Sequence, residues 1–210
     1  MEFLSNTNIQ LYLLAYVVGS IPFGFILAKV IGKVDIKKEG SGNIGATNVL
    51  RVLKERQSKL AKKLSISTLI LDVSKGVLVL LIAKFMGASQ EVLWGVAVFA
   101  VIGHCFSIFL LGEGGKGVAT GLGVLLFMIP IPAIIGIVFW AISAKVLKIS
   151  SMSSLLGLLA LVVSSFLMYP DMAHSPIVII AFIILYKHSD NIYRLISGEE
   201  ARIEHSKSFI

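Results

Sequence analysis

Apolar residues in this 210-residue chain gather in runs separated by short polar stretches, with none of the alternation that marks half-buried strands. Seven runs predict helices, over residues 9–31, 67–86, 92–111, 118–128, 132–146, 151–168 and 176–186. They are too long and too rich in Leu, Ile and Val for strands of an outer-membrane barrel, which leaves helices as the spanning structure. The stretch 118–146 reads either as one span with a tail or as two short helices. Its Pro-Ile-Pro break at Pro130 to Pro132 favours two, each below the ~20 residues that a lipid-exposed span needs. The predicted fold is all-α: a polytopic membrane protein of seven transmembrane helices, including that Pro-broken hairpin, forming a single domain over residues 1–210. The segment 53–64, with Leu53, Leu60 and Leu64 at helical spacing among lysines, reads as a short basic surface helix or as a solvated loop.

Composition narrows the class further. A mean hydropathy of +0.90 with only 15% charged residues excludes an ordinary soluble domain. The first run follows Met1 without a basic leader or a convincing small-residue cleavage site, so it reads as a retained helix. The single cysteine, Cys105, sits in an apolar run and reads as packing. Of the 19 Lys and Arg residues, ten lie between residues 29 and 63. Seven helices starting from an external N-terminus place that cluster on the cytoplasmic side, together with Lys116, Lys145, Lys148, Lys187, Arg194 and Arg202. The outer connections then carry no Lys or Arg, so the chain is read as N-terminus out and C-terminus in.

On this topology four polar segments share the cytoplasmic face: 35–51, 113–120, 148–154 and 187–199. Polar groups gathered at one surface favour an interfacial enzyme. A transporter of anions or phosphorylated metabolites, the alternative, would place them near the midplane. The first segment contains Gly-Ser-Gly-Asn-Ile-Gly-Ala-Thr-Asn-Val-Leu-Arg at 40–51. Its glycines let backbone N–H groups converge on an anion, while Ser41, Asn43, Thr47 and Asn48 offer hydrogen bonds and Arg51 a charge, so it reads as a phosphate cradle. Gly115, Lys116 and Gly117 open a helix with a glycine-flanked lysine, which suits phosphate; the spacing is not that of a nucleotide-binding P-loop, and taken by itself the pattern fits a flexible turn with a topology-setting lysine somewhat better. Lys187, Asn191 and Arg194 recur at helical spacing beside His188, the titratable group best placed to move a proton near neutral pH, although a basic stop after the last span is an equal reading. Ser151 is read as a contact for a substrate hydroxyl or as a capping and packing residue.

Within the spans, Asp72 and Lys75 stand i, i+3 and neutralise one another or mark a site. His104 is read as a buried, hydrogen-bonded histidine in preference to a base. No His, Cys or carboxylate spacing suggests a metal, and no Ser-His-Asp arrangement or nucleophile elbow is present.

Taken together, these segments resemble one known family. Gly-Ser-Ile-Pro-Phe-Gly at 19–24, the twelve residues at 40–51, Asp-Val-Ser-Lys-Gly at 72–76, Gly-His at 103–104, Gly-Gly-Lys-Gly-Val-Ala-Thr at 114–120, and Lys-His at 187–188 with Asn191-Ile and Arg194-Leu are similar, in order, to the bacterial acyl-phosphate-dependent glycerol-3-phosphate acyltransferases. The resemblance spans nearly the whole chain. It implies a bacterial inner-membrane enzyme, active on the cytoplasmic face, that moves a fatty acyl group from acyl phosphate to the 1-hydroxyl of glycerol 3-phosphate. Membrane lipid is the surrounding partner, and no cofactor, metal or nucleic acid is implied. The site would use His188, Lys116 and Asn191 at the reacting centre. Ser41, Gly42, Asn43, Thr47, Asn48, Arg51, Gly115, Lys116, Gly117, Ser151, Lys187 and Arg194 would hold phosphate. The His-x4-Asp pair of other glycerolipid acyltransferases is missing, since Phe109 and Tyr193 stand five residues after His104 and His188. With no such dyad, a substrate phosphate is preferred over His188 as proton acceptor. Glu113 and Ser189 stand where this family usually has basic residues, and Ser107 where proline is common.

Overall fold

The computed structural model describes residues 5–202, and every regular element among them is helical. The chain divides into two compact units, Met1–Met128 and Ile129–Ile210.

The first unit contains α1 (Thr7–Ser20), α2 (Phe23–Val30), α3 (Ala46–Lys54), α4 (Ser58–Phe85), α5 (Gln90–Cys105), a 3₁₀ turn (Ile108–Leu110) and α6 (Val118–Met128). The single helix expected over 9–31 is broken, because Pro22 has no N–H to continue the ladder. The Ile21 N–H still reaches the Val18 carbonyl at 3.2 Å, while the Ile21 carbonyl turns inward and accepts the Lys75 ammonium at 2.8 Å. A free-standing basic helix over 53–64 is also not found: Leu53 lies in α3, and Ser58 starts one unbroken helix that runs to Phe85. Lys59, Lys62 and Lys63 are exposed while Ala61 and Leu64 are buried, so the basic stretch is the amphipathic opening of α4. At about 1.5 Å per residue α4 is roughly 42 Å long, more than the ~30 Å hydrocarbon layer, which leaves its polar first turns room at the headgroups.

Ala28, Val34, Ile36, Ile44, Val49, Val52 and Leu53 pack with Ala61 and Leu64 into a small apolar core beneath the polar segment that follows α2. That core fixes the segment to α3 and α4. On the other side of the unit, a Cβ at Gly19 would overlap the Ala100 carbonyl, so α1 and α5 meet backbone to backbone.

The second unit contains α7 (Pro130–Leu147), α8 (Ser150–Met168), α9 (Ser175–Lys187) and α10 (Ser189–Ile196). α7 is longer than the expected 132–146 because Pro130 and Pro132 fall in its first turn, where a missing N–H breaks no helical bond. The short apolar helices are therefore α6, with 11 residues, and α9, with 13. α7 and α8 cross at Gly136 and Gly157, where each glycine faces the other's carbonyl. Five stretches are long and apolar enough to span a bilayer: Thr7–Val30, Ser58–Phe85, Gln90–Leu110, Pro130–Leu147 and Ser150–Met168.

Candidate active site

In the first unit the polar segment after α2 is a loop organised from within by one buried side chain. Asn48 accepts from the Ser41 N–H at 2.9 Å through Oδ1. Its Nδ2 donates to the carbonyls of Ile36 (3.0 Å), Glu39 (3.2 Å) and Asn43 (2.8 Å). Sequence reading makes Asn48 a phosphate ligand; the structure commits its amide to the loop's own carbonyls. Gly40 has φ +62° and presses against Asn48 Oδ1, so a side chain there is excluded by both conformation and space. Asn43 also acts locally, its Oδ1 accepting from the Gly45 N–H at 2.7 Å.

What this framework presents outward is Ser41, Gly42, Thr47 and Arg51, all exposed. Thr47 and Arg51, four residues apart, share one face of α3, whose first turn has no side-chain cap. Ser65 Oγ, on α4, donates to the Ala46 carbonyl at 2.9 Å and fixes the start of α3. A helix start, a hydroxyl and a guanidinium on one surface are groups whose chemistry suits hydrogen bonding to an oxyanion.

The loop before α6 lies beside it. Lys37 forms an ion pair with Glu113, which joins the two loops directly. Gly114 and Gly115 are folded against the end of α5, with the Gly115 N–H donating to the His104 carbonyl at 2.9 Å and the Gly114 N–H to the Cys105 carbonyl at 3.2 Å. Lys116 follows, half-buried, and Gly117, at φ +85°, turns the chain into α6. The structure thus brings together the Ser41 and Lys116 segments that sequence reading assigns separately to phosphate.

Behind this loop is a buried polar cluster. Lys75 Nζ lies 2.9 Å from Asp72 Oδ1, and His104 Nδ1 lies 3.7 Å from the same oxygen. Thr120 Oγ1, in the first turn of α6, donates to the Asp72 carbonyl at 2.9 Å.

The second unit gathers a different set. His188 is buried, with Nδ1 2.7 Å from the Ile184 carbonyl. A carbonyl only accepts, so the neutral ring carries its proton on Nδ1 and keeps a basic Nε2. Ser151 Oγ and Asn191 Nδ2 each donate to Glu200 Oε1 at 2.6 Å, and Arg194 Nε donates to Oε2 at 2.7 Å. Ser151 and Arg194, expected to hold substrate phosphate, and Asn191, expected at the reacting centre, are therefore gathered on a carboxylate of the chain itself. Burial works to raise the Glu200 pKa, but the hydrogen bonds from Ser151, Arg194 and Asn191 and the charge of Arg194 outweigh it, leaving the carboxyl below its ordinary 4.5. Lys187 ends α9 beside His188.

Glu200 is the residue that sequence reading misses. Its signal is Gly198, which at φ +76° reverses the chain after α10, so that the N–H groups of Glu199 and Glu200 return to the Arg194 carbonyl at 2.8 and 3.1 Å.

The family model described as glycerol-3-phosphate acyltransferase matches residues 9–198. The glycerol-3-phosphate acyltransferase of Sulfurimonas denitrificans is 58% identical over 203 residues, covering 97% of this chain and 100% of that protein. The fold matches the crystal structure of PlsY (YgiH), an integral membrane glycerol 3-phosphate acyltransferase, in its glycerol 3-phosphate form, with a TM-score of 0.84, 33% identity and coverage of 95% of this chain and 96% of that one. The lysophosphatidic acid form of PlsY matches with a TM-score of 0.80 and 34% identity, over 94% of this chain and 95% of that one. The chain, an all-helical protein with membrane-spanning segments, belongs to the glycerol-3-phosphate acyltransferase family.

Proposed function

We propose that this chain transfers a fatty acyl group from acyl phosphate to the 1-hydroxyl of glycerol 3-phosphate, giving lysophosphatidic acid and inorganic phosphate. The observation that carries the reading is the joining of two glycine-rich polar loops, 35–45 and 112–117, through Lys37 and Glu113, in a chain whose fold matches the glycerol 3-phosphate form of an acyltransferase.

The glycerol oxygen attacks the acyl carbonyl carbon and forms the ester C–O bond, while the C–O bond to phosphate breaks. The hydroxyl proton passes to a substrate phosphate oxygen, with His188 Nε2 as the other basic atom available. Acyl phosphate is an activated donor, so the chain's contribution is positioning and charge neutralisation. Ser41, Gly42, Thr47, Arg51, Gly115, Lys116 and Gly117 hold phosphate, and Asn43 and Asn48 shape their loop. In the second unit Lys187, Asn191 and Arg194 supply further positive and hydrogen-bonding character, ordered by Ser151 and Glu200.

The two units are read as one acyltransferase domain, since the family match runs through both. We place the enzyme in the bacterial inner membrane with α6 and α9 completing seven spans, the N-terminus outside and the site on the cytoplasmic face. The lysine and arginine asymmetry supports this, since residues 87–91 and 169–175 contain neither. A cysteine introduced at Ala88 then reacts with an impermeant thiol reagent only from the periplasmic side; reaction only from the cytoplasm reverses the orientation.

The direct test of the reaction is phosphate release by the purified protein given palmitoyl phosphate. Release that depends on glycerol 3-phosphate, with lysophosphatidic acid formed in equal amount, is the expected result. Release without acceptor, or none with both substrates, removes the assignment.

A further inference from the structure

Buried ionisable groups in a membrane-spanning segment are energetically expensive and call for a task. Asp72, Lys75 and His104 are 3%, 3% and 4% exposed, and no step of the acyl transfer described above uses them. Their surroundings point to one. The Lys75 ammonium lies between Asp72 Oδ1 and the Ile21 carbonyl, at 2.9 and 2.8 Å, so it neutralises the carboxylate and stitches α4 to the break between α1 and α2. The ring of His104 stands between this pair and the phosphate loop. Its Nδ1 edge faces Asp72 at 3.7 Å. Its opposite edge lies directly under Gly115, where an added Cβ would overlap Nε2 and sit 2.7 Å from Cε1.

The loop is fixed at both ends to this cluster. Before Lys116, the Gly115 N–H donates to the His104 carbonyl. After it, Thr120 Oγ1 donates to the Asp72 carbonyl. Lys116 is therefore suspended on a short bridge whose two footings are His104 and Asp72. The reach of the imidazole's Nε2 edge, with Nδ1 facing a carboxylate, sets how closely that bridge approaches the end of α5.

We propose that His104, oriented by Asp72 and Lys75, is a positioning residue for acyl transfer: it sets the height of Gly115, and through it the place of Lys116, without touching substrate. The proposal rests on the reading that Lys116 holds a substrate phosphate. It differs from a merely structural role, which would lower the amount of folded enzyme and leave the KM of the surviving fraction unchanged.

The test is steric compensation in the purified full-length enzyme. Gly115→Ala introduces a methyl group whose three nearest neighbours are all atoms of the His104 ring, at a position where Gly115 does not have positive φ. It lowers kcat/KM for glycerol 3-phosphate about tenfold to a hundredfold by displacing the loop, and the loss appears in the same parameter, KM or kcat, that Lys116→Ala changes. His104→Ala alone has the smaller effect. The double variant Gly115→Ala with His104→Ala recovers activity above Gly115→Ala alone, because the three nearest contacts of the methyl are then removed. His104→Ser serves the same purpose should the alanine variant not yield folded protein.

A double variant as poor as the product of the two single losses, or Gly115→Ala with wild-type kinetics, overturns the proposal. Wild-type turnover in Lys116→Ala instead overturns the phosphate reading of the loop, an outcome separate from the compensation between Gly115 and His104.

Discussion

Lys37 and Glu113 join the loop after α2 to the loop before α6, with side chains 29% and 73% exposed. An ion pair this open to water contributes on the order of 0–1 kcal/mol, so its meaning lies in where it holds a charge. Glu113, which the family resemblance marks as standing in for a basic residue, draws the Lys37 ammonium onto itself. Glu113→Gln should leave thermal unfolding within a degree or two and lower the KM for glycerol 3-phosphate about two- to fivefold at low salt, an advantage that fades by about 0.5 M salt. Steady-state kinetics across ionic strength decides it: an unchanged KM at low salt would show that Lys37 takes no part in attracting substrate.

The amide of Asn48 holds four groups of its loop in place, so its replacement tests the loop as a unit. Asn48→Asp exchanges the donating Nδ2 for an acceptor facing three carbonyls, and Asn48→Ala leaves those carbonyls without their donor. A loss of about 1–3 kcal/mol of stability is expected for alanine, and more for aspartate. Unfolding temperatures in detergent should fall in that order, with activity falling alongside. A stable but inactive Asn48→Ala would instead return this residue to direct contact with substrate.

Those two side chains also show what the sequence makes legible. Apolar runs specify helices wherever a span must satisfy its own backbone, so the fold class and most spans can be read directly. The segment containing Asn48 is visibly polar and glycine-rich, but composition does not separate an amide that faces a ligand from one that faces its own carbonyls. That distinction depends on a chain reversal at Gly40 and Gly42, where φ is +62° and +68°. The long amphipathic start of α4 escapes for a related reason, being settled by the apolar core around Leu53 and Leu64, whereas the break after Ser20 follows from Pro22 itself and is open to a sequence reading. Glu200 is invisible to spacing because its partners Ser151, Asn191 and Arg194 come from two helices and meet it only after the turn at Gly198.

Glu200 gives the second unit a dependence on acid. Its carboxyl stands below the ordinary 4.5, because hydrogen bonds from Ser151, Arg194 and Asn191 together with the Arg194 charge outweigh its desolvation. A carboxyl depressed on folding contributes stability that is fully present above its unfolded pKa and is lost as pH falls through the folded value. Unfolding temperature should therefore be flat from neutrality to about pH 5 for this group and decline below the ordinary carboxylate range. Glu200→Gln removes that part of the decline and is less stable at neutral pH by about 1–3 kcal/mol, since Arg194 loses a charged partner. Identical pH profiles in the two proteins would show that Glu200 does not anchor α10.

Arg51 on α3 and Lys116 in the loop before α6 are the cations read as holding phosphate in the first unit, and each should be needed for turnover. Arg51→Ala and Lys116→Ala should insert and fold normally, because Arg51 is exposed and Lys116 half-buried, yet lose about a hundredfold or more in kcat/KM. Lysine at position 51 keeps the charge but loses the planar fork, so Arg51→Lys should recover only part of the loss. Near-normal turnover in both alanine variants would remove these loops from the reaction.

The destination of the proton can be decided at His188. Its Nδ1 is held 2.7 Å from the Ile184 carbonyl, so a neutral ring presents Nε2 as its base, and alanine at this buried position would disturb packing as well as chemistry. Asparagine is the better probe, because its amide N–H can still donate to the Ile184 carbonyl while no basic nitrogen remains. If a substrate phosphate takes the proton, His188→Asn lowers the rate but leaves the shape of the pH–rate profile as in the wild type, since the titrating group belongs to the substrate. If His188 is the base, the wild-type rate falls as the ring protonates on the acid side, and that limb disappears in the variant. Substrate-assisted transfer therefore requires the acid limb to persist in His188→Asn, and its disappearance would assign the proton to Nε2.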